Sequence, residues 1–415
     1  MGLLYTLGIF LYGFLLKAAS PFNPKARQWV EGRKRLFQAL ATAYRDADRE
    51  ARPVTWFHAS SLGEFEQGRP IIEAFRKACP GSRILLTFFS PSGYAVRHNY
   101  DQADEVFYLP LDTPRNALRW LQIVRPERVV FIKYDFWFNM LDALRVKQIP
   151  VFFVSVKFRP SQLFFRWYGG WFRRKLDGIT WFFAQNDESQ QLLHSIGMKN
   201  VSVTGDTRFD RVFAMAANRD SFPAVEHFAN GQPVFICGST WKEDEELLFP
   251  FIHENGGKFK FIIAPHDTGT ERIKYIIGQL KVPVVRYSEL TAASAAQASV
   301  LLVDSVGILA QLYQYAKLAY IGGGFGVAIH NIQEPVTFGV PVFFGPKYHK
   351  FREAVELVEQ GGAFCVYTTA ELRGKVAEIM EDQKSYLLMS DLCRRYVDDN
   401  RGATGKIMDY FLENR

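Results

Sequence analysis

A glutamate behind a Ser-Ser-Leu-Gly turn, Glu64 in HASSLGEFEQ (58–67), is the first residue of this chain suited to moving a proton. The preceding run VTWFHAS (54–60) reads as a strand and a helical pattern begins at Glu64, so the carboxylate falls where a strand ends and a helix starts. A helix N-terminus stabilises negative charge there. A carboxylate at a strand's carboxyl end can also take the proton of an acceptor hydroxyl. The spacing Ser61-x-x-Glu64 fits a capping box equally well, so a purely structural role stays open. KYDFWFN (133–139) follows the apolar run RVVFI, and its Lys133 and Asp135 want either each other or a ligand at the end of a buried strand. GDTRFD (205–210) contributes Arg208, a permanent cation suited to phosphate or carboxylate, or else an ion-pair partner for Asp206 or Asp210.

The second half repeats this grammar. In GSTWKEDEE (238–246) a strand gives way to small hydroxyls and an acidic helix start, where Ser239 or Thr240 can cap and free amides can meet an anion. Pro265 and His266 end the next strand in APHD (264–267), and DSVGIL (304–309) sets the amides of Ser305, Val306 and Gly307 at another helix start. GGGFGVAIHNIQEP (322–335) is the richest segment: three glycines let backbone approach a ligand closely, and His330, Asn331 and Glu334 follow. Asn331 and Glu334 share a helix face, where a carboxylate can accept two ribose hydroxyls. The glycine spacing does not continue into a dinucleotide fingerprint. No Asp-x-Asp follows the early strands, so a metal-held diphosphate is not expected and the cations must come from Arg, Lys and helix ends.

Elements that hold these residues follow from hydrophobic patterning. Continuous apolar runs of strand length alternate with helical stretches, as expected of parallel sheets covered on both faces. The alternation breaks at about 214–232 and restarts, which divides the chain into two doubly wound α/β domains, 21–220 and 221–415, facing a cleft. At 415 residues the chain has room for two such cores. A polar, helix-like stretch (24–50) precedes the first strand. Residues 3–16, LLYTLGIFLYGFLL, are almost wholly apolar and precede Lys17, Lys25, Arg27, Arg33, Lys34 and Arg35. That segment (1–20) is expected to be a short membrane anchor, spanning or partly embedded, with the body kept cytoplasmic by the positive flank. The formal charge of +7 implies anionic partners, and no Lys/Arg cluster interleaved with aromatics indicates nucleic acid. The four cysteines form no CxxC pair, consistent with free thiols in a reducing compartment.

Taken in order, HASSLGE, KYDFWFN, GDTRFD, GSTWKEDEE, APHD, DSVGIL, HNIQEP and FGPKYHKFRE (344–353) resemble the 3-deoxy-D-manno-octulosonic acid (Kdo) transferases of lipopolysaccharide synthesis over nearly the whole chain. The resemblance implies a GT-B fold and inverting, metal-independent transfer of Kdo from CMP-Kdo to a lipid A precursor, lipid IVA, at the cytoplasmic face of the inner membrane, with no cofactor. It implies Glu64 as base, with Asp135 and Arg208 stabilising the transition state. Lys133 stands where the family has an acid, and Arg208 where it has Lys. CMP contacts carry over to Pro265, His266, Val306, Gly307, Ile308, Asn331, Ile332, Gln333 and Glu334. His266 replaces a frequent Arg and Ile308 a frequent Glu, which puts the phosphate contact at 266 in doubt. Two other readings share parts of the pattern: a GT-B-like nucleotide-sugar epimerase, and a non-catalytic, membrane-tethered nucleotide-sugar binder.

Overall fold

The structure, a computed structural model, describes residues 1–45 and 52–414. Fourteen strands form two seven-stranded sheets among these residues, every pairing parallel. The first sheet comprises β1 (Val54–Ala59), β2 (Arg83–Phe88), β3 (Glu105–Tyr108), β4 (Arg128–Ile132), β5 (Val151–Val156), β6 (Trp181–Ala184) and β7 (Val201–Val203), ordered β3-β2-β1-β4-β5-β6-β7. In the second, β8 (Val234–Thr240), β9 (Lys260–Pro265), β10 (Val284–Arg286), β11 (Val300–Leu302), β12 (Ala316–Ile321), β13 (Val342–Phe344) and β14 (Ala363–Cys365) are ordered β10-β11-β9-β8-β12-β13-β14. Strand order reverses between β1 and β4 in one sheet and between β8 and β12 in the other. Ligands of doubly wound sheets bind at such switch points, beyond the strands' carboxyl ends.

The first strands read as unbroken apolar runs because both faces of the sheet are buried. Trp56, Leu85, Val129 and Phe153 point into one core, while their neighbours Phe57, Leu86, Val130 and Val154 point into the other. The chain divides into one unit of Met1–Arg211 with the stretch from Arg401 onward, and another of Val212–Asn400. The sequence reading put the boundary at 220 and the C-terminus in the second domain. The structure differs on both counts. The break at 214–232 is largely helical, in Thr207–Ala217 and Pro223–Ala229. The last helix, Ala403–Glu413, returns to the first unit, where Ile407, Met408 and Phe411 complete the core against Phe152 and Phe183. Asp210 anchors that return by accepting the amide and hydroxyl protons of Thr404 at 2.7 and 2.6 Å. An apolar face on a helix near the C-terminus gives no hint of which core it joins.

The N-terminal helix α1 (Gly2–Ala19) has a mean hydropathy of 1.6 and is long and apolar enough to cross a membrane, at about 27 Å. One stripe of it is covered by the first unit. The Tyr5 hydroxyl donates to Asp112 Oδ2 (2.7 Å), and Gly13 sits against Leu111 so closely that a Cβ would come within 2.7 Å. Its outer face, including Leu3, Leu4, Leu11 and Phe14, is more than half exposed. Two short helices follow, α2 (Pro24–Glu31), capped by Asn23 and opened by Pro24, and α3 (Leu36–Ala43). The remainder of the helix-like stretch, residues 46–50, lies outside the described residues.

Candidate functional site

At the switch point of the first sheet, β1 runs through Ser60 and Ser61 into helix α4 (Leu62–Ala78), and β4 runs into residues 133–137. Glu64 occupies the first turn of α4, partly exposed. It is not half of a capping box: the Ser61 hydroxyl makes no cap bond and donates to the Glu64 carboxylate instead. The carboxylate is therefore held at the helix start by a side chain that also lies at the strand end.

Asp135 is built in more tightly. Its Oδ2 accepts from His58 Nε2 (2.7 Å), from Trp137 Nε1 (2.9 Å) and from the Ser60 hydroxyl. Thr87 orders the histidine. Its Oγ1 accepts from Trp56 Nε1 at 2.7 Å and lies 2.8 Å from His58 Nδ1. The hydrogen assignment that satisfies every group has Thr87 donating to Nδ1 and Nε2–H donating to Asp135. Burial raises the pKa of Asp135, but the hydrogen bonds donated by His58, Ser60 and Trp137 outweigh it and leave the pKa below the ordinary carboxylate value.

Of the two options open for Lys133 and Asp135, each other or a ligand, the first is not taken: among the described residues no ion pair joins them. It sits in the left-handed backbone region (φ 68°), unusual for a residue with a Cβ. Burial pulls its pKa down, the Glu64 carboxylate acts against that, and Arg208 adds to it. Glu64 and Arg208 thus each lie within electrostatic reach of Lys133. Of the two partners open for Arg208, the structure selects Asp206, which accepts Nη2 at 2.6 Å and Nε at 2.9 Å. Asp210 is occupied with the C-terminal helix. Sequence reasoning missed His58, Ser60 and Trp137 as the cage of Asp135. All three lie inside the motifs it selected, but which donor faces which carboxylate depends on the β1–β4 pairing.

In the second unit the glycine triplet serves the protein's own packing. A Cβ on Gly322 would lie 2.2 Å from the Ser239 carbonyl oxygen, and one on Gly324 would lie 2.5 Å from the Gly345 amide. The loops after β8, β12 and β13 are pressed together backbone to backbone. The helix at 242 is not an open anion site capped by Ser239 or Thr240. Thr240 donates to Glu245 (2.9 Å), and Asp244 takes the amides of Trp241 (2.9 Å) and Gly323 (2.8 Å). Burial raises the Asp244 pKa, and those two amides with the Tyr320 hydroxyl oppose the shift.

Of the residues expected to bind nucleotide, Pro265 ends β9 buried, and exposed His266 stacks on Trp241 (4.3 Å) and on His330 (4.7 Å). Trp241 Nε1 also donates to His330 Nε2 (3.1 Å), a partnership sequence reasoning missed because the two lie 89 residues apart. Val306 and Gly307 lie on an exposed turn, with Gly307 at φ 98°, and Ile308 leads into a helix of four residues. Asn331 donates to Glu334 (3.2 Å) and accepts the Gln333 amide (3.0 Å). Ile332 is buried, and Gln333, 1% exposed, has no hydrogen-bond partner among the described residues at either end of its side-chain amide. Residues 330–334 follow β12 and Trp241 follows β8, so both border the second switch point.

A model of the 3-deoxy-D-manno-octulosonic-acid transferase (kdotransferase) family matches residues 33–211. A Kdo transferase of Bordetella pertussis is 27% identical over 390 residues, 86% of this chain and 86% of its own length. One of Aquifex aeolicus is 26% identical over 336 residues, 79% of this chain and 86% of its own length. Among solved structures, a Neisseria meningitidis UDP-GlcNAc 2-epimerase bound to UDP-GlcNAc superimposes at a TM-score of 0.60 with 19% identity, over 87% of this chain and all of its own. The Acinetobacter baumannii MurG does so at 0.51 with 14% identity, over 87% of this chain and 99% of its own. At these identities the structural likeness establishes a GT-B-type arrangement of two Rossmann-like domains and nothing of the chemistry.

Proposed function

We propose, from the premise that this chain is a relative of the Kdo transferases, that it transfers Kdo with inversion from CMP-Kdo to lipid IVA in lipopolysaccharide synthesis. The observation that carries the reading is the group at the β1/β4 switch point. Glu64, Asp135 and Arg208 all lie within the stretch matched to the family, 33–211, and Glu64 and Arg208 act on the charge of the same Lys133. In the proposed step an acceptor hydroxyl attacks the anomeric carbon of Kdo. Its proton passes to Glu64, and the bond to the phosphate oxygen breaks, releasing CMP. A base positioned this way contributes about 10²–10⁴ in rate. Arg208 opposes the negative charge gathering on the leaving phosphate, its own charge partly offset by Asp206. Asp135, held ionised by three donors, is a fixed charge for the developing positive character at the anomeric centre.

In this reading Pro265, His266, Val306, Gly307, Ile308, Asn331, Ile332, Gln333 and Glu334 hold CMP. The Asn331–Glu334 bond is exchanged for ribose hydroxyls, and no metal or cofactor takes part. The outer face of α1 embeds in the cytoplasmic leaflet of the inner membrane. Incubating the purified full-length protein with CMP-Kdo and lipid IVA, and weighing the lipid by mass spectrometry, tests the proposal. One or more Kdo increments support it. Epimerised UDP-GlcNAc with an unchanged lipid would establish the nucleotide-sugar epimerase reading instead.

A further inference from the structure

The helix Phe138–Val146, which starts just after the cage of Asp135, receives no side-chain cap from its own N-cap residue, Trp137. The first amides of a helix need acceptors from outside it when they are buried. Here Asp112, 2% exposed on the loop after β3, supplies them. It accepts the Asn139 amide on Oδ2 (3.0 Å) and the Met140 amide on Oδ1 (2.9 Å). Its backbone carbonyl takes the Asn139 side-chain amide at 2.6 Å. A further donor comes from α1: the Tyr5 hydroxyl meets Asp112 Oδ2 at 2.7 Å, and beside it Thr6 donates to Asn139 Oδ1 at 3.3 Å. Burial pushes the Asp112 carboxyl above the ordinary carboxylate range, and the Tyr5 hydroxyl and the two amides oppose that shift. A second path leaves α1 from Tyr12, which lies two turns beyond Tyr5 on the same helix face. Tyr12 stacks on Phe89 (6.2 Å between centroids), and Phe89 packs on Trp137 (4.4 Å). Both paths end on Trp137, whose Nε1 donates to Asp135 at 2.9 Å.

We propose that Tyr5 and Asp112 are positioning residues for Asp135, and that α1 is thereby built into the site rather than serving only as an apolar attachment. This rests on the reading of Asp135 as a fixed charge in Kdo transfer and deepens it. An anchor needs only apolar contact with lipid, whereas a carboxylate buried in its seat is costly unless donors are supplied. The donors supplied are the two amides that fix where the helix begins and one hydroxyl from α1. Trp137 stands at that beginning, its own backbone still extended (φ −90°, ψ 92°). With those amides released the first turn can unwind, and the indole is no longer held against Asp135. Neither Tyr5 nor Asp112 bonds Asp135 directly among the described residues; both act through Trp137. Their loss is therefore felt in turnover and not in the grip on either substrate.

The test compares the full-length wild type with two variants. Tyr5→Phe removes one oxygen and keeps the ring against Phe138 (5.0 Å), and Asp112→Asn keeps the shape and loses an acceptor. Each protein is labelled with 5-fluorotryptophan, and the Trp137 resonance is identified by its loss in Trp137→Phe. Read without substrate, that resonance should move in both variants, while that of Trp181, packed on Tyr410 (5.0 Å), stays in place. For transfer of Kdo to lipid IVA, kcat should fall by about 10- to 100-fold in Asp112→Asn and by less in Tyr5→Phe. KM for CMP-Kdo and for lipid IVA should stay within about twofold of wild type. Wild-type kcat in both variants, or a fall in kcat with the Trp137 resonance unmoved, overturns the proposal. Where Asp112→Asn fails to fold, Tyr5→Phe decides by the same readings. A wild-type protein that transfers no Kdo, with the resonance still moving in both variants, would overturn the transferase reading and leave the coupling of α1 to Trp137 standing.

Discussion

Replacing Glu64 with Gln tests the base while leaving its shape in place. Gln keeps an oxygen to accept the Ser61 hydroxyl, and the side chain is only partly buried, so the loss of stability is expected below about 1 kcal/mol. The charge is what changes. Glu64 is the foremost group opposing the effect of burial on Lys133; without it, burial and Arg208 drive that ammonium's pKa further down. Loss of a general base costs about 10²–10⁴ in rate, or about 2.7–5.4 kcal/mol at about 1.36 kcal/mol per factor of ten. Single-turnover transfer of Kdo to lipid IVA is to be measured beside calorimetric binding of CMP-Kdo and thermal unfolding. The expected result is that loss of rate, with donor affinity unchanged and Tm shifted by no more than about 2–4 °C. Turnover within about tenfold of wild type would refute Glu64 as the base. Loss of CMP-Kdo affinity in step with the rate would refute the separation of base from donor site.

Trp137→Phe removes one of the three donors to Asp135; a hydrogen bond to a charged group is worth about 1.5–3 kcal/mol, and urea unfolding and kcat should both fall, CMP-Kdo affinity staying intact. Gly322→Ala brings a Cβ to 2.2 Å from a backbone oxygen, so about 1–3 kcal/mol of stability is expected to go along with donor binding, both read from urea titrations with and without CMP. Burial, then the neighbouring His266, lowers the pKa of His330 from 6.5 to about 4. The unfolded chain then binds the extra proton first, so stability is full above pH 6.5 and is lost as pH falls toward 4, and the slope of the urea midpoint over that window should flatten in His330→Gln.

The candidate site residues stand out in the sequence by position rather than by type. Small residues and charges at strand ends mark residues 58–67, 133–139 and 322–335, but that they gather at the β1/β4 and β8/β12 switch points is set by the strand order of the folded sheets. Strand periodicity settled both parallel sheets, since a strand buried on two faces has no choice but an apolar run. Partnership was another matter. Lys133 and Asp135 stand two apart and could have paired or met a ligand, yet Asp135, beyond the end of β4, bonds His58 and Ser60 of the adjacent segment, while Lys133 feels the charge of Glu64. Glycines that looked reserved for a ligand were spent on the close approach of three loops. Asp244, one acid in an acidic run, closed the helix start that seemed open to an anion. Local sequence fixes the period, cap and charge of an element, because those depend on neighbours along the chain. Which donor meets which acceptor depends on segments brought together from 77 residues apart (His58 and Asp135) to 89 (Trp241 and His330), and only the folded chain decides that.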